Sequence, residues 1–139
     1  MALRATATWR GGYEAAVAVR GHALTIDEPE DSGGHDAGMM PTEALCAALA
    51  SCFCLAVGFA ARKRDQEVPG LTVTVTAERA GDELRYEHFV VTTQAELGDE
   101  ELARLVKRAR PLCWVSNSLA AGVTVEYLHT TTVNDHFRK

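Results

Sequence analysis

The segment "PTEALCAALASCFCLAVGFAARKRD", residues 41–65, predicts one long helix that decides the fold. Pro41 suits the first turn of a helix, because the amide hydrogen that proline lacks would have no partner there. Between its single glutamate and its basic end the segment has one polar residue, Ser51. The basic residues after the apolar run are favourable at the negative end of the helix dipole. We therefore predict a helix from Pro41 to about Arg64.

A helix that is apolar on nearly every side needs cover on every side. A chain of 139 residues with short strands is too small to supply all of that cover, so we expect a second copy of the chain to supply the rest. A membrane-spanning helix needs roughly 20 predominantly apolar residues, which makes this segment borderline in length. It is rich in Ala and Cys rather than Leu and Ile, so we favour a buried core helix and expect no membrane partner.

The rest of the chain alternates between strand patterns and one further amphipathic helix. The predicted helix begins with Asp99 as its cap and ends before Pro111, and a short helix follows from Cys113 to Gly122. Residues 28–40 form an acidic, glycine-rich loop that is long enough to suggest a functional role. The predicted strands are residues 5–9, 13–20, 22–27, 71–78, 84–97 and 123–133. Without repeat or linker, residues 1–139 are expected to form a single α+β domain.

The overall composition is that of an acidic globular protein. Hydrophobic residues make up 47% and charged residues 24% of the chain, and the formal net charge is -5. A nucleic-acid-binding protein normally has a basic face, so we expect no nucleic-acid partner. No secretory signal is recognisable, and a cytoplasmic location is expected. Thiols there are usually reduced, and a disulfide is more often catalytic than structural.

Three of the four cysteines lie in the predicted long helix. Residues two apart on a helix point in nearly opposite directions, so Cys52 and Cys54 cannot bind one metal ion together. Cys46 does not complete a zinc-like spacing either, and no metal site is expected. The histidines are scattered and add no ligand pattern: His22, His35, His88, His129 and His136.

Cys113 stands apart from the other three. It is predicted to lie in the first turn of a short helix, directly after the basic run "KRAR" and Pro111-Leu112. Backbone amides at a helix start and nearby cations both favour the thiolate form. If the chain brings Cys113 to one of the helix cysteines, the two sulfurs form an attacking and resolving pair.

Two segments resemble the OsmC/Ohr family. "PTEALCAALASCFCLAV", residues 41–57, is similar to the hallmark helix of that family, and "CWVSNSLAAGVTV", residues 113–125, to its second hallmark. The opening "ATATWRGG", residues 5–12, also fits. The resemblance implies an intertwined homodimer in which a long central helix packs against antiparallel sheets, with each active site at the subunit interface.

The resemblance also implies a chemistry for the sulfurs. Cys52 matches the reactive cysteine of the family and Cys113 its partner, while Cys46 and Cys54 match no functional position. The implied activity is thiol-dependent reduction of organic or hydrogen peroxide, through a sulfenic acid on Cys52 and a Cys52–Cys113 disulfide. A dithiol, typically of the lipoyl type, would reduce that disulfide, and no cofactor is implied.

A reactive thiol also needs a cation nearby, because an ordinary cysteine is mostly protonated at neutral pH. In the family an arginine does this, oriented by a glutamate. Glu43 is our candidate for the carboxylate, although the hydroperoxide-resistance branch has its glutamate at the position of Thr42. For the arginine, Arg10 fits best and Arg20 is the rival. The second motif also departs from the family, because tryptophan follows Cys113 where proline is usual.

Two other functions compete with the peroxidase. One is a non-catalytic stress-response dimer that binds a small apolar ligand between its subunits. The other is a thioesterase of the hot-dog type, which would need a catalytic acid in the middle of the helix. Only Ser51 is polar there, which counts against the thioesterase.

Overall fold

The computed structural model describes residues 2–133, an α+β arrangement with one long helix and two small sheets. This confirms the predicted fold class. The elements are β1 (Thr6–Gly11), β2 (Glu14–Val19), β3 (His22–Ile26), α1 (Pro41–Arg62), β4 (Thr72–Arg79), β5 (Tyr86–Ala95), α2 (Asp99–Ala109), α3 (Trp114–Asn117) and β6 (Thr124–Thr131). The chain divides into two compact units, Met1–Leu45 and Cys46–Lys139.

The first unit contains an antiparallel sheet in the order β1-β2-β3. The turn at Arg20-Gly21 joins β2 to β3, with φ angles of 49° and 83° at the two residues. Two-residue hairpin turns need positive φ at both positions when their twist matches that of the strands. The tight turn therefore sets the register in which Val19 pairs with His22.

The loop after β3 is organised by one buried carboxylate. Asp27 accepts hydrogen bonds from the backbone amides of Glu28, His35 and Ala37, at 2.8, 3.0 and 3.1 Å. These bonds lower the pKa of the Asp27 carboxyl, the bond from Ala37 most of all. Gly34 permits this packing, because a Cβ there would lie 2.0 Å from the carbonyl oxygen of Glu28.

The second unit contains a sheet in the order β4-β5-β6, and one pairing in it differs from the prediction. β4 is antiparallel to β5, but β6 is parallel to β5, so the expectation of purely antiparallel sheets is wrong for this strand. Parallel neighbours need a crossover connection, usually through a helix, and α2 lies between these two strands in the chain. Alternation of side chains predicts a strand but not its direction.

The core of the second unit lies where α1 and α2 meet the inner face of this sheet. Leu49, Phe53 and Val57 follow one another at the i, i+4, i+8 spacing of a helix face and are fully buried. The Phe53 and Tyr127 ring centroids are 4.9 Å apart, which ties α1 to β6. Burial of a large apolar side chain is worth about 1.5–3 kcal/mol, so this face is a main source of stability.

The end of α1 has a defined cap. Asp65 has φ 50°, its amide donates to Arg62 O at 3.2 Å, and the amide of Gln66 donates to Ala61 O at 3.0 Å. This pair of bonds is a Schellman motif, which satisfies carbonyls that the helix leaves unpaired. The regular helix therefore ends at Arg62, two residues before the predicted end at about Arg64.

The start of α2 differs from the prediction by one residue. Gly98, not Asp99, is the cap, with extended backbone angles, and Asp99 is the first residue of the helix. The Asp99 carboxylate is instead 3.2 Å from Nε2 of His129. It still lies in the first turn, where a negative charge favours the helix dipole.

Another face of α1 is exposed among the described residues 2–133. Leu55 is 75% exposed and Phe59 46%. Among residues 2–133, α1 is the one helix long and apolar enough to cross a membrane, a property that core helices of soluble proteins share. Because this face needs cover, the homodimer stays our prediction for what covers it.

Candidate functional site

The Cys52 side chain lines an open cavity of about 310 Å³ in the second unit. Four of the wall residues lie on α1 at the i, i+3, i+4, i+7 spacing that places side chains on one helix face. Of the other two, one comes from the turn that follows α2 and the other is the first residue of α3. The wall consists of Cys52, Leu55, Ala56, Phe59, Leu112 and Trp114. Apart from the Cys52 sulfur and the amphipathic ring of Trp114, the side chains of this wall are hydrocarbon.

Cys113 lies between two residues of this wall. Leu112 precedes it and Trp114 follows it, while the Cys113 side chain itself is fully buried. Cys113 belongs to the hydrophobic core cluster of the second unit, and the half-buried Cys52 packs against that cluster. Both are free thiols. The structure thus brings the two predicted sulfurs into one region.

The segment around Cys113 is shorter than the predicted helix. α3 is a single turn, Trp114–Asn117, with Cys113 as its N-terminal cap rather than in its first turn. Polar side chains bind the local backbone here: Ser118 Oγ donates to Trp114 O at 2.7 Å, and Asn117 Nδ2 donates to Pro111 O at 3.0 Å. Serine and asparagine side chains compete with the helix ladder in this way, which explains why α3 ends before Gly122.

Glu43 has a structural partner at the start of α1. Its Oε1 accepts a hydrogen bond of 2.9 Å from the backbone amide of Met40, the residue before Pro41. A glutamate at the third helical position that reaches back to the cap residue is half of a capping box. This bond uses one carboxylate oxygen. The predicted role of Glu43 in orienting an arginine stays a prediction.

The predicted arginines both belong to the first unit. Arg10 lies in β1, Arg20 lies in the turn after β2, and both are exposed. Their action on the Cys52 thiol stays a prediction for both residues.

A second, cationic cavity was missed by the sequence analysis. Lys63 and Arg64 from the turn directly after α1 and Arg108 from α2 line an open cavity of about 500 Å³, together with Ala60 and Leu112. Both basic runs are visible in the sequence, but each was interpreted only locally, through a helix dipole or the charge near Cys113. Their common position depends on how α1 and α2 pack.

The last cation of the "KRAR" run has an aromatic partner. The Arg110 guanidinium carbon lies 4.7 Å from the centroid of the Tyr127 ring. This cation–π contact places Arg110 beside the ring that also packs on Phe53. Phe53, the residue next to Cys52, and the Arg110 guanidinium therefore both contact the Tyr127 ring.

No metal centre competes with this site in the part of the chain that the structure describes. Within residues 2–133, no group of three or more His, Cys, Asp or Glu side chains is placed to hold a metal ion. His136, one of the five histidines considered above, lies outside the described residues.

Comparison with known proteins identifies relatives by sequence and by fold. The sequence model described as "OsmC-like protein" matches residues 33–128, more than half of the chain. No curated protein sequence matches. Among solved structures, an organic hydroperoxide resistance protein OsmC from Legionella pneumophila has a TM-score of 0.76 at 21% identity, covering 94% of this chain and 97% of that one.

Two further structures have the same fold. An organic hydroperoxide resistance protein from Elizabethkingia anophelis has a TM-score of 0.74 at 22% identity, covering 96% of this chain and 97% of its own. An OsmC-like protein from Mycoplasma pneumoniae has a TM-score of 0.79 at 16% identity, with coverage of 96% and 97%. At such identities the likeness establishes the fold and leaves the chemistry to the residues of this chain.

Proposed function

Because this chain belongs to the OsmC-like protein family, we propose that it is a thiol-dependent peroxidase that reduces organic hydroperoxides or hydrogen peroxide. Cys52 is the attacking sulfur and Cys113 the resolving sulfur. The observation that carries the proposal is the cavity wall, in which Cys52 and the two neighbours of Cys113 face the same space. The names of the Legionella and Elizabethkingia proteins agree with a peroxide-related role.

The first step oxidises Cys52. Its thiolate attacks the terminal oxygen of the hydroperoxide, the O–O bond breaks, and two electrons pass from sulfur to the peroxide. The OH group stays on sulfur as a sulfenic acid. The remaining alkoxide takes a proton from water and leaves as an alcohol, or as water when the substrate is hydrogen peroxide.

The second step closes the disulfide. The Cys113 sulfur attacks the Cys52 sulfur, an S–S bond forms, and the departing hydroxide takes the Cys113 proton and leaves as water. An external dithiol, of the lipoyl type in our proposal, then reduces the disulfide by two exchange steps and becomes a disulfide itself. The cytoplasm is the proposed location, because it keeps such a reductant reduced.

The wall chemistry favours organic substrates. Leu55, Ala56, Phe59 and Leu112 offer apolar surface to a hydrocarbon group next to the reacting oxygen. Removal of apolar surface from water is worth about 25 cal/mol per Å², and hydrogen peroxide has no such surface to bury. We therefore expect kcat/KM to be higher for an aryl or alkyl hydroperoxide than for hydrogen peroxide.

The proposal includes a homodimer. The exposed apolar face of α1, with Leu55 and Phe59, adjoins the Cys52 cavity, so a second copy that covers this face would also close the cavity. Closure would exclude water from the sulfur and protect the sulfenic acid from further oxidation. Light scattering without detergent tests this: a mass of twice 15.0 kDa is expected. A monomer in solution, or a protein that needs detergent, would contradict the dimer.

The direct test counts thiols. One equivalent of cumene hydroperoxide is added to the fully reduced protein, and free thiols are measured before and after. A loss of two thiols per chain is expected, abolished in Cys52→Ser. The matched control is Cys54→Ser, which changes a half-buried thiol on the same helix and should still lose two. Retention of all thiols over minutes would instead favour a non-catalytic dimer that binds an apolar ligand in the same cavity.

A further inference from the structure

The wall of the cavity beside Cys52 supplies no cation for the sulfur. Among the described residues that line this cavity, none is charged. An ordinary thiol is mostly protonated at neutral pH, so a cation that ionises Cys52 has to come from a segment outside this wall. Our candidates are Arg10 and Arg20. Arg20 lies in a two-residue turn between strands of regular register, whereas the backbone at Arg10 is irregular.

Arg10 is the extra residue of a β-bulge near the end of β1. Trp9 pairs with Ala15 and Gly11 pairs with Glu14, so the register leaves Arg10 without an opposite residue on β2. Bulges bend the strand and change the direction of a side chain, and they are common next to active sites. The fold therefore specifies the direction of this arginine through the local backbone.

The side chain of Trp9 bridges the bulge. Its indole nitrogen, Nε1, donates a hydrogen bond of 3.0 Å to the carbonyl oxygen of Gly12, across Arg10 and Gly11. Gly11 and Gly12 have φ angles of 98° and 55°, and glycine residues give a chain many alternative conformations. A bond that closes this segment removes part of that freedom. The indole therefore holds the backbone on both sides of Arg10.

Core packing does not explain a tryptophan at this position. Trp9 is 75% exposed, so most of its ring is not buried in the described part of the chain. Its one polar group is the indole N–H, which is a donor only. On the far side of the turn, the Tyr13 ring packs on Gly33, where a Cβ would lie 3.1 Å from Cε2 of Tyr13. The turn that carries Arg10 is therefore held at both ends.

We propose that Trp9 is a positioning residue, whose indole bond holds the bulge so that the Arg10 guanidinium favours the thiolate form of Cys52. This inference deepens the proposed peroxidase function and rests on it for the role of the sulfur. The attraction between a cation and a thiolate falls as their separation grows. Loss of the indole bond would let the guanidinium occupy more positions, and would weaken that attraction without removing the charge. Trp9 acts through Arg10 and is not itself a catalytic residue.

The test measures thiolate formation without any peroxide. Fully reduced protein is alkylated with iodoacetamide between about pH 5 and pH 10, and mass spectrometry of its peptides follows Cys52 alone. Trp9→Phe keeps an aromatic ring and removes the donor. We expect it to slow alkylation of Cys52 about fivefold at pH 7, the size of effect that one net hydrogen bond produces. At about pH 10 its rate should equal that of wild type, because a thiol is largely ionised there without a cation.

The matched control is Tyr13→Phe. It removes one polar group from another exposed aromatic side chain of the same turn, and the ring that packs on Gly33 remains. Its alkylation profile should follow that of wild type. An equal slowing in Tyr13→Phe and Trp9→Phe would show a general effect of the turn and would overturn the specific role of the indole bond.

A double-mutant cycle shows whether Trp9 acts through Arg10. Arg10→Gln should slow alkylation at pH 7 at least as much as Trp9→Phe does, and the double variant should be no slower than Arg10→Gln. The same loss from Trp9→Phe with and without Arg10, or an unchanged pH profile in either single variant, contradicts the inference. If the expected profiles are found but no hydroperoxide is reduced, the proposed peroxidase fails and the positioning role stands.

Exchange of the indole proton measures the bond itself. In ¹⁵N-labelled protein the Trp9 indole signal is assigned by its absence from the spectrum of Trp9→Phe. Its proton should exchange with water more slowly than the indole proton of N-acetyltryptophanamide, both in wild type and in Arg10→Gln, because the bond to Gly12 does not depend on the guanidinium. Exchange as fast as in the free compound would show that the indole bond does not form, and the inference would fall.

Discussion

Oε1 of Glu43 accepts a 2.9 Å hydrogen bond from the backbone amide of Met40, across the proline that begins α1. The helix that carries Cys52 therefore starts on a defined cap. The same carboxylate is our candidate for orienting an activating arginine. Because glutamine preserves the capping bond and alanine does not, two substitutions separate the two roles.

For Glu43 we predict that alanine lowers the free energy of unfolding by about 1 kcal/mol, since the amide of Met40 loses its acceptor. Glutamine should retain that stability but slow the oxidation of Cys52 by about tenfold, which corresponds to about 1.36 kcal/mol of activation free energy. Urea unfolding and stopped-flow oxidation measure the two effects. An unchanged oxidation rate in Glu43→Gln would leave only the capping role.

Replacement of the resolving cysteine should trap the intermediate. In Cys113→Ser the sulfenic acid on Cys52 has no partner thiol, so we expect one equivalent of peroxide to consume one thiol per chain and to add one oxygen atom to the protein mass. Mass spectrometry of the oxidised protein measures the added oxygen, and a sulfenic-acid-specific dione, applied to a second sample, identifies it as a sulfenic acid. A normal disulfide in Cys113→Ser would show that another cysteine resolves Cys52.

The buried carboxylate of the first unit predicts a pH dependence of stability. Hydrogen bonds from Ala37, and then from Glu28 and His35, lower the pKa of Asp27. A carboxyl with a lowered folded-state pKa contributes stability above its unfolded pKa of about 3.9, and that contribution is lost as pH falls through the folded value. We expect Asp27→Asn to be less stable than wild type at neutral pH, with a difference that declines below about pH 4. Equal differences at pH 7 and pH 3 in urea unfolding would contradict this.

Removal of a buried hydroxyl group in β5 should stabilise the protein. Thr93 is fully buried, and its Oγ1 has no hydrogen-bond partner among the residues that the structure describes. Valine has nearly the same shape without the polar atom, and a buried unsatisfied group costs about 1–3 kcal/mol. We expect Thr93→Val to raise the free energy of unfolding by about 1 kcal/mol. Thr92→Val, on the other face of the strand, is the control and should change little.

Replacement of Trp114 should change the substrate preference without changing the stability. It is 83% exposed, yet it lines the Cys52 cavity where the family usually has proline. We expect Trp114→Ala to lower kcat/KM for cumene hydroperoxide by several-fold, to leave hydrogen peroxide unaffected, and to keep stability within about 0.5 kcal/mol. Equal losses for both peroxides would show that the indole affects the sulfur rather than the pocket.

Much of this fold follows from local patterns. The bounds of α1 follow from Pro41 and the basic residues after its apolar run, because the groups that begin and end a helix are local in sequence. The predicted strands at residues 71–78 and 84–97 correspond to β4 and β5. Each of these features depends on residues a few positions apart.

Other features depend on contacts between distant segments. The direction of β6, the burial of Cys113 and the shared position of Leu112 in two cavities cannot be derived from any one window of sequence. The contact of the Asp99 carboxylate with His129 of β6 is another feature of this kind.

The sequence alone therefore determined the long apolar helix, since helix periodicity is a property of short segments, and its resemblance to the OsmC/Ohr family singled out Cys52 and Cys113 as the candidate sulfurs. Only the tertiary structure decided that the neighbours of Cys113 face Cys52 and that cations from two distant segments line the adjoining cavity. The physical reason is that side-chain packing at the ends of α1 and α2, rather than any local preference, brings these segments together.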